Sequence, residues 1–191
     1  MSSVCLYGGS FNPVHTAHLI LATIAREILN IPQITFVPAP SPPHKDHLLP
    51  WDVRYKMLEL AIADNPSFTI SDVEKKRGGV SYTIDTVRFF LSNGGFNRVY
   101  LLIGADSLLE LSTWRNWEEL LDLATVVVMG RIGRDLESAN KAVLRKVSII
   151  DTPMMDISSM EIRRRVKEGR SIRYMVPDVV RDYIEKHNLY R

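Results

Sequence analysis

The stretch that decides the fold is Ser3-Val4-Cys5-Leu6-Tyr7-Gly8-Gly9-Ser10-Phe11-Asn12-Pro13-Val14-His15-Thr16-Ala17-His18. Residues 3–7 are apolar and β-prone, and read as a strand that ends at Gly8-Gly9. From Thr16 onward Leu19, Ala22, Thr23, Arg26 and Leu29 recur at helical intervals, so residues 16–29 read as a helix. Two glycines let the backbone turn tightly and approach a ligand closely. Pro13 fixes the loop, and the helix start turns N–H groups and a positive dipole end toward an anion such as phosphate. His15 and His18, spaced i, i+3, share one face of the first turn. Two imidazoles there can donate hydrogen bonds where charge develops on a phosphoryl group. The pattern is not a P-loop, since no Gly-Lys-Ser/Thr closes it, and it is not G-x-G-x-x-G. A plain turn, or a surface or metal-binding histidine pair, remains open from these residues alone.

Outward from this unit, strands and helices alternate. Residues 33–37, 68–73, 98–103, 124–129 and 147–150 read as strands. Residues 52–63, 81–91, 159–167 and 177–186 read as helices, the second stopped by Asn93-Gly94-Gly95. Pro38, Pro40, Pro42, Pro43 and Pro50 hold the segment after the second strand out of regular structure. Runs such as VYLLI and TVVVM suit parallel strands buried on both faces. The expected class is therefore α/β, a mostly parallel sheet covered by helices on both faces. Ligands of such sheets bind beyond the carboxyl ends of the strands. No repeat or linker divides the chain, so residues 1–191 are expected to form one domain, with a small helical subdomain over about 158–191.

Composition narrows the function. The 191 residues carry 24 Lys+Arg against 22 Asp+Glu, a formal charge of +2, which gives no global case for nucleic acid or membrane binding. The single cysteine, Cys5, rules out an internal disulfide framework and a cysteine-built zinc site, and its place within a strand suits inert core. No apolar run approaches the ~20 residues of a membrane span. The opening MSSVCLYGG lacks a basic secretory n-region. A reduced, cytoplasmic protein is expected, and a homo-oligomer is compatible with the sequence.

In ISSMEIR, residues 157–163, Ser158 suits an N-cap and Glu161, three residues on, completes a capping box. That helix start can also aim amides at an anion, with Arg163 adding a charge-assisted bond from the next turn. A stable helix start is the plainer alternative. Arg163, Arg164 and Arg165 cannot all face one ligand. Asp106, just past the buried strand at 98–103, either meets a ligand or caps the following helix. In SYTIDT, residues 81–86, Ser81 or Thr83 suits a helix cap. His44, Asp46 and His47 raise the idea of a metal site with His15 and His18, but no spacing matches H-E-x-x-H.

GGSFNPVHTAH resembles the GG(S/T)F(N/D)PxHxGH signature of the nucleotidylyltransferase superfamily, with Ala17 where that pattern has glycine. The rest of the chain resembles one family within it, the bacterial nicotinate mononucleotide adenylyltransferases. Pro43-His44-Lys45 is similar to its PHK, and LPWDVRYKML at 49–58 to its LLPFxxRxxML. SYTIDT, LIGADSL at 102–108 and the Trp114 and Trp117 pair follow in order. ISSMEIR has Met160 for the usual threonine, and VPDVVRDYIEKHNLY is similar to the family's ending.

The resemblance implies a Rossmann-like, doubly wound fold and transfer of adenylate from ATP to nicotinate mononucleotide, releasing pyrophosphate. It implies catalytic roles for His15 and His18 at the α-phosphate. It implies ATP contacts from Gly8, Gly9, Ser10, Phe11, Lys45, Gly104, Asp106, Ser158, Ser159 and Arg163, with Lys45 and Arg163 on the β,γ-phosphates. Contacts to the mononucleotide fall to Asn12, Lys45, the Tyr82-Thr83 backbone and Trp114, whose ring either stacks on the pyridine or packs in the core. Arg131 is a weaker phosphate candidate. Mg²⁺ would be held by triphosphate oxygens and water, with no protein metal site. The alternatives are nicotinamide mononucleotide or phosphopantetheine as acceptor, a non-catalytic nucleotide-binding module, and a metal-dependent hydrolase. A near-neutral total suits a small polyanion, which needs a few cations in a cleft: His15, His18, Lys45 and Arg163.

Overall fold

A computed structural model of the chain describes residues 2–43, 47–130 and 140–191. Six strands form one sheet: β1 (Ser3–Gly9), β2 (Ile34–Pro38), β3 (Phe68–Ile70), β4 (Arg98–Gly104), β5 (Ala124–Gly130) and β6 (Ser148–Asp151). Their order is β3-β2-β1-β4-β5-β6 and every pairing is parallel, so the expected mostly parallel sheet is parallel throughout the described strands. This is the doubly wound order. From β1 the chain builds outward on one side, and from β4 on the other. The carboxyl ends of β1 and β4 therefore flank the switch point, where a crevice opens.

Alternation along the strands splits the core in two. Cys5, Tyr7, Leu102, Val127 and Met129 face one side. There they pack with α1 (Thr16–Ile28), α2 (Trp51–Ile62), α8 (Ser159–Lys167) and α9 (Asp178–Lys186), through Ala22, Met57, Ile162 and Val180. Val4, Leu6, Leu101, Ile103, Val126 and Val128 face the other. Their partners include α3 (Val73–Arg77), α4 (Thr83–Ser92), α5 (Ala105–Glu110), α6 (Trp117–Leu123) and α7 (Lys141–Leu144), through Val73, Ile84, Leu108, Leu120 and Val143. Both faces of β1 are covered, as its unbroken apolar run requires.

Two elements differ from the expected ones. The strand expected at 68–73 stops at Ile70, and Val73 opens α3. Ser71 N–H still donates to Phe36 O, but Ser71 Oγ then accepts Val73 N–H, which turns the chain into the helix. The helix expected from residue 81 begins at Thr83, with Tyr82 as N-cap and no side-chain cap. Ser81 is used elsewhere. Its N–H donates to Ser41 O at 2.9 Å and its Oγ accepts Ser41 N–H at 3.3 Å, tying this turn to the Pro-rich loop.

The C-terminal helices share the first core with β1, α1 and α2 rather than standing beside it. Among the described residues no helix is long and apolar enough to cross a membrane. Ile162 on α8 has no exposed surface. Ile162→Ala is expected to lower the unfolding free energy by about 2–5 kcal/mol, through lost burial and the cavity left behind. Urea denaturation followed by far-UV circular dichroism should show that loss in a single transition. A change below about 1 kcal/mol would contradict the packing of α8.

Candidate active site

The crevice is floored by glycines of two kinds. A Cβ on Gly9 would meet the Phe11 ring at 3.0 Å, so Gly9 makes room for a neighbour. A Cβ on Gly8 or Gly104 would meet nothing within 4 Å. Neither glycine has a positive φ. They leave open space at the carboxyl ends of adjacent strands.

Phe11 takes φ 44°, and its buried ring lies edge-on to Tyr7, Phe36 and His18, at centroid distances of 5.8, 5.6 and 5.1 Å. The Phe11 side chain belongs to the core. His15 is the N-cap of α1, and its ring stacks on His18 at 3.6 Å and 22°. His18 Nδ1 accepts the His15 backbone N–H at 3.2 Å. A neutral His18 therefore carries its hydrogen on Nε2. His15 is only 6% exposed, and burial lowers its pKa to about 4. It is neutral at physiological pH, which removes it from the expected set of cations.

The first turn of α1 also departs from expectation. Thr16 N–H donates to Met175 O at 2.9 Å and His18 N–H to His15 O at 3.0 Å. With the His15 N–H on His18, these amides serve protein acceptors rather than forming a phosphate cradle.

The loop between β1 and α1 is pinned from outside. Arg163 Nη1 donates to Asn12 O at 2.8 Å, and Ser159 Oγ to Pro13 O at 2.8 Å, so the start of α8 docks on the loop. Ser158 caps α8 as expected, its Oγ accepting Glu161 N–H at 3.2 Å. Glu161 turns to Arg164 at 2.8 Å and Arg165 at 3.8 Å, which leaves Arg163 as the member of the triplet on the loop. Asn12 is 1% exposed. Its Oδ1 accepts Tyr190 Oη–H at 2.9 Å and Leu49 N–H at 3.4 Å, while its Nδ2 is buried without a partner.

Asn12, His15, His18, Ser159 and Arg163 thus come together around one loop. Gly8, Gly9, Ser10 and Phe11 belong to the same strand end and loop, and Ser158 caps α8 beside Ser159. Gly104 is the N-cap of α5, so exposed Asp106 stands in its first turn and is not the cap. Trp114 is half-buried against the second core, beyond a 3-10 turn at Leu111–Thr113. Tyr82 packs on that core too, with the Arg115 guanidinium 4.6 Å above its ring, and Thr83 opens α4. His44, Lys45, Asp46 and Arg131 lie outside the described residues. Among the described residues no three of His, Cys, Asp and Glu converge as metal ligands would. Cys5 is buried, and desolvation pushes its thiol up to about 12, the state of an inert core thiol.

Two participants escaped the sequence reading, Arg54 beneath the loop and Tyr190 behind Asn12. A signal for Arg54 existed. It shares the helical spacing of Met57, Leu58 and Ala61, a face that must be buried.

The chain is similar to known proteins in sequence and in shape. The family described as Cytidylyltransferase-like matches residues 6–165. A Thermus thermophilus protein named "Probable nicotinate-nucleotide adenylyltransferase" is 45% identical over 186 residues, covering 97% of this chain and 98% of its own. A Lachnoclostridium phytofermentans protein of the same name is 40% identical over the full length of both chains. In shape, the chain is similar to Plasmodium falciparum nicotinic acid mononucleotide adenylyltransferase complexed with APC, at a TM-score of 0.81 and 21% identity, covering 100% of this chain and 98% of that one.

The burial of His15 carries a pH signature. Its folded pKa, about 4, lies below the ordinary 6.5, so the unfolded chain binds more protons between those values. Stability is full above pH 6.5 and falls as the pH drops toward 4, by up to about 3 kcal/mol from this group. Urea-unfolding free energies from pH 4 to 7 are expected to fall less steeply, by that amount, in His15→Asn. Parallel curves for the two proteins would contradict the buried, neutral imidazole.

Proposed function

The chain belongs to the cytidylyltransferase-like family and, within it, to the nicotinate-nucleotide adenylyltransferases, and on that premise we propose how its residues join ATP to nicotinate mononucleotide. A 5′-phosphate oxygen of the mononucleotide attacks the ATP α-phosphorus in line. The bond to the bridging oxygen breaks, pyrophosphate leaves, and nicotinate adenine dinucleotide remains. No covalent enzyme intermediate is needed. Catalysis is then mainly positioning and charge stabilisation. The observation that carries the assignment is the open space over Gly8 and Gly104, on neighbouring strand ends at the switch point.

His18 donates from Nε2 to the α-phosphate as charge builds there. His15, neutral and stacked, holds His18 in place. Gly8, Gly9 and Ser10 admit the triphosphate, with Ser158, Ser159, Arg163 and Lys45 around its β,γ-phosphates and Arg131 as a weaker contact. Gly104 and Asp106 meet the adenosine ribose. The Tyr82-Thr83 backbone takes the nicotinate carboxylate, and Trp114 stacks on the pyridine ring. Asn12 supports the mononucleotide side of the loop.

Mg²⁺ fits this donor set only as an ion carried by triphosphate oxygens and water, where it neutralises developing charge. A single cysteine and the small net charge support a cytoplasmic enzyme of small substrates, without nucleic acid or membrane partners. We propose one folding unit over residues 1–191, in an assembly compatible with a homo-oligomer.

Pyrophosphate release from ATP, measured against nicotinate mononucleotide, nicotinamide mononucleotide and phosphopantetheine in turn, tests the proposal. Release is expected to be fastest with nicotinate mononucleotide, and none with any acceptor would overturn it. His18→Ala is expected to lower kcat by about 10²–10³-fold while the unfolding free energy stays within about 1 kcal/mol. A normally fast His18→Ala enzyme would remove His18 from the mechanism.

A further inference from the structure

Arg54 is the largest fully buried side chain among the described residues, at 1% exposure. Its guanidinium meets only neutral main-chain oxygens: Leu49 O from Nε at 2.9 Å, Ser10 O at 2.6 Å and Ala39 O at 2.9 Å from Nη1, and Pro40 O from Nη2 at 3.3 Å. Ser10 belongs to the glycine loop. Ala39, Pro40 and Leu49 are the two ends of the Pro-rich loop. One side chain therefore fastens both loops that follow the central strands β1 and β2.

Its charge is the unusual part. Among the described residues no carboxylate pairs with it. The ionisable group nearest in influence is Tyr190, whose phenol is raised well above its ordinary range by burial and stays neutral. Charge-assisted bonds to four carbonyls hold the cation in place, but they do not cancel it. A neutral, well-packed residue is the ordinary solution for a purely structural tie. An unbalanced buried cation acts on its surroundings with little solvent screening. One peptide unit separates it from the loop surface, at Ser10, beside the open space over Gly8.

We propose that Arg54 is a positioning residue whose buried, unbalanced charge presets the triphosphate site from beneath, through the Ser10 carbonyl, without touching the ligand. The proposal rests on placing the triphosphate at the glycine loop. Binding of an anion there supplies a counter-charge that no described carboxylate provides.

Calorimetric titration with Mg²⁺-ATP and, separately, with adenosine tests it on the whole chain. Adenosine shares the nucleoside and lacks the charge. Arg54→Gln, which keeps amide donors but loses the charge, is expected to weaken ATP binding at least tenfold and adenosine binding less than twofold. Arg54→Lys, which keeps the charge but not the fork, is expected to bind ATP within threefold of the native chain. ATP affinity unchanged in Arg54→Gln, or ATP and adenosine weakened by the same factor, would overturn the proposal. Should Arg54→Gln not fold, Arg54→Lys decides: near-native affinity for both ligands supports a role of charge, and an equal loss for both reduces Arg54 to a scaffold. A native chain that binds no ATP would instead reject the placement of the triphosphate.

Discussion

Three carbonyls of the loop between β1 and α1 are each held by a side chain from elsewhere. Ser10 O is held by Arg54, Asn12 O by Arg163 and Pro13 O by Ser159. The loop's own side chains Phe11, Asn12 and Val14 are buried, and the three bonds add a hold on its main chain. The three bonds fix it from below and from the side, and leave its remaining surface to the crevice. They also explain why the C-terminal helices belong to the site: α8 brings two of the three donors. Its own seat is set by Ile162 in the first core.

The electrostatics of the crevice follow from burial more than from counting charges. The histidine pair looks cationic in sequence. In the fold His15 is desolvated and neutral, and its ring stacks on His18. Among the described residues, Arg163 stands at the loop edge and Arg54 beneath it. A total of +2 is no obstacle to phosphate binding when single cations stand close to the site and one is shielded from salt.

Much of the architecture was legible in the sequence because the sheet is built from long, periodic signals. The runs at 98–103 and 124–129 could hardly be anything but buried parallel strands, and the glycine pair marked the turn at the switch point. The short helix α3 was not legible, since five residues carry no periodicity and its start depends on the Ser71 hydroxyl. Ser81 looked like a cap, but the distant Ser41 claimed it. The Thr16 amide at the start of α1 looked available because nothing local announces Met175 as its acceptor. For Ser81 and for the Thr16 amide, a partner far along the chain outweighed a local preference. The Ser158 cap could be read from its local spacing, while the neutral state of His15 and the acceptor of Thr16 depend on burial and on distant chain and could not.

The β3 edge of the sheet has its own consequence. β3 pairs through only three residues, and only with β2. The hydrogen bonds between Ser41 and Ser81 close the intervening chain, with α2, β3 and α3, into a panel stitched at its neck. Such short edge elements are the first to open in native-state fluctuations. Arg54 sits on α2, whose Met57 and Leu58 are wholly buried in the first core, so its hold on the Ser10 carbonyl is anchored in the body of the fold rather than at that edge.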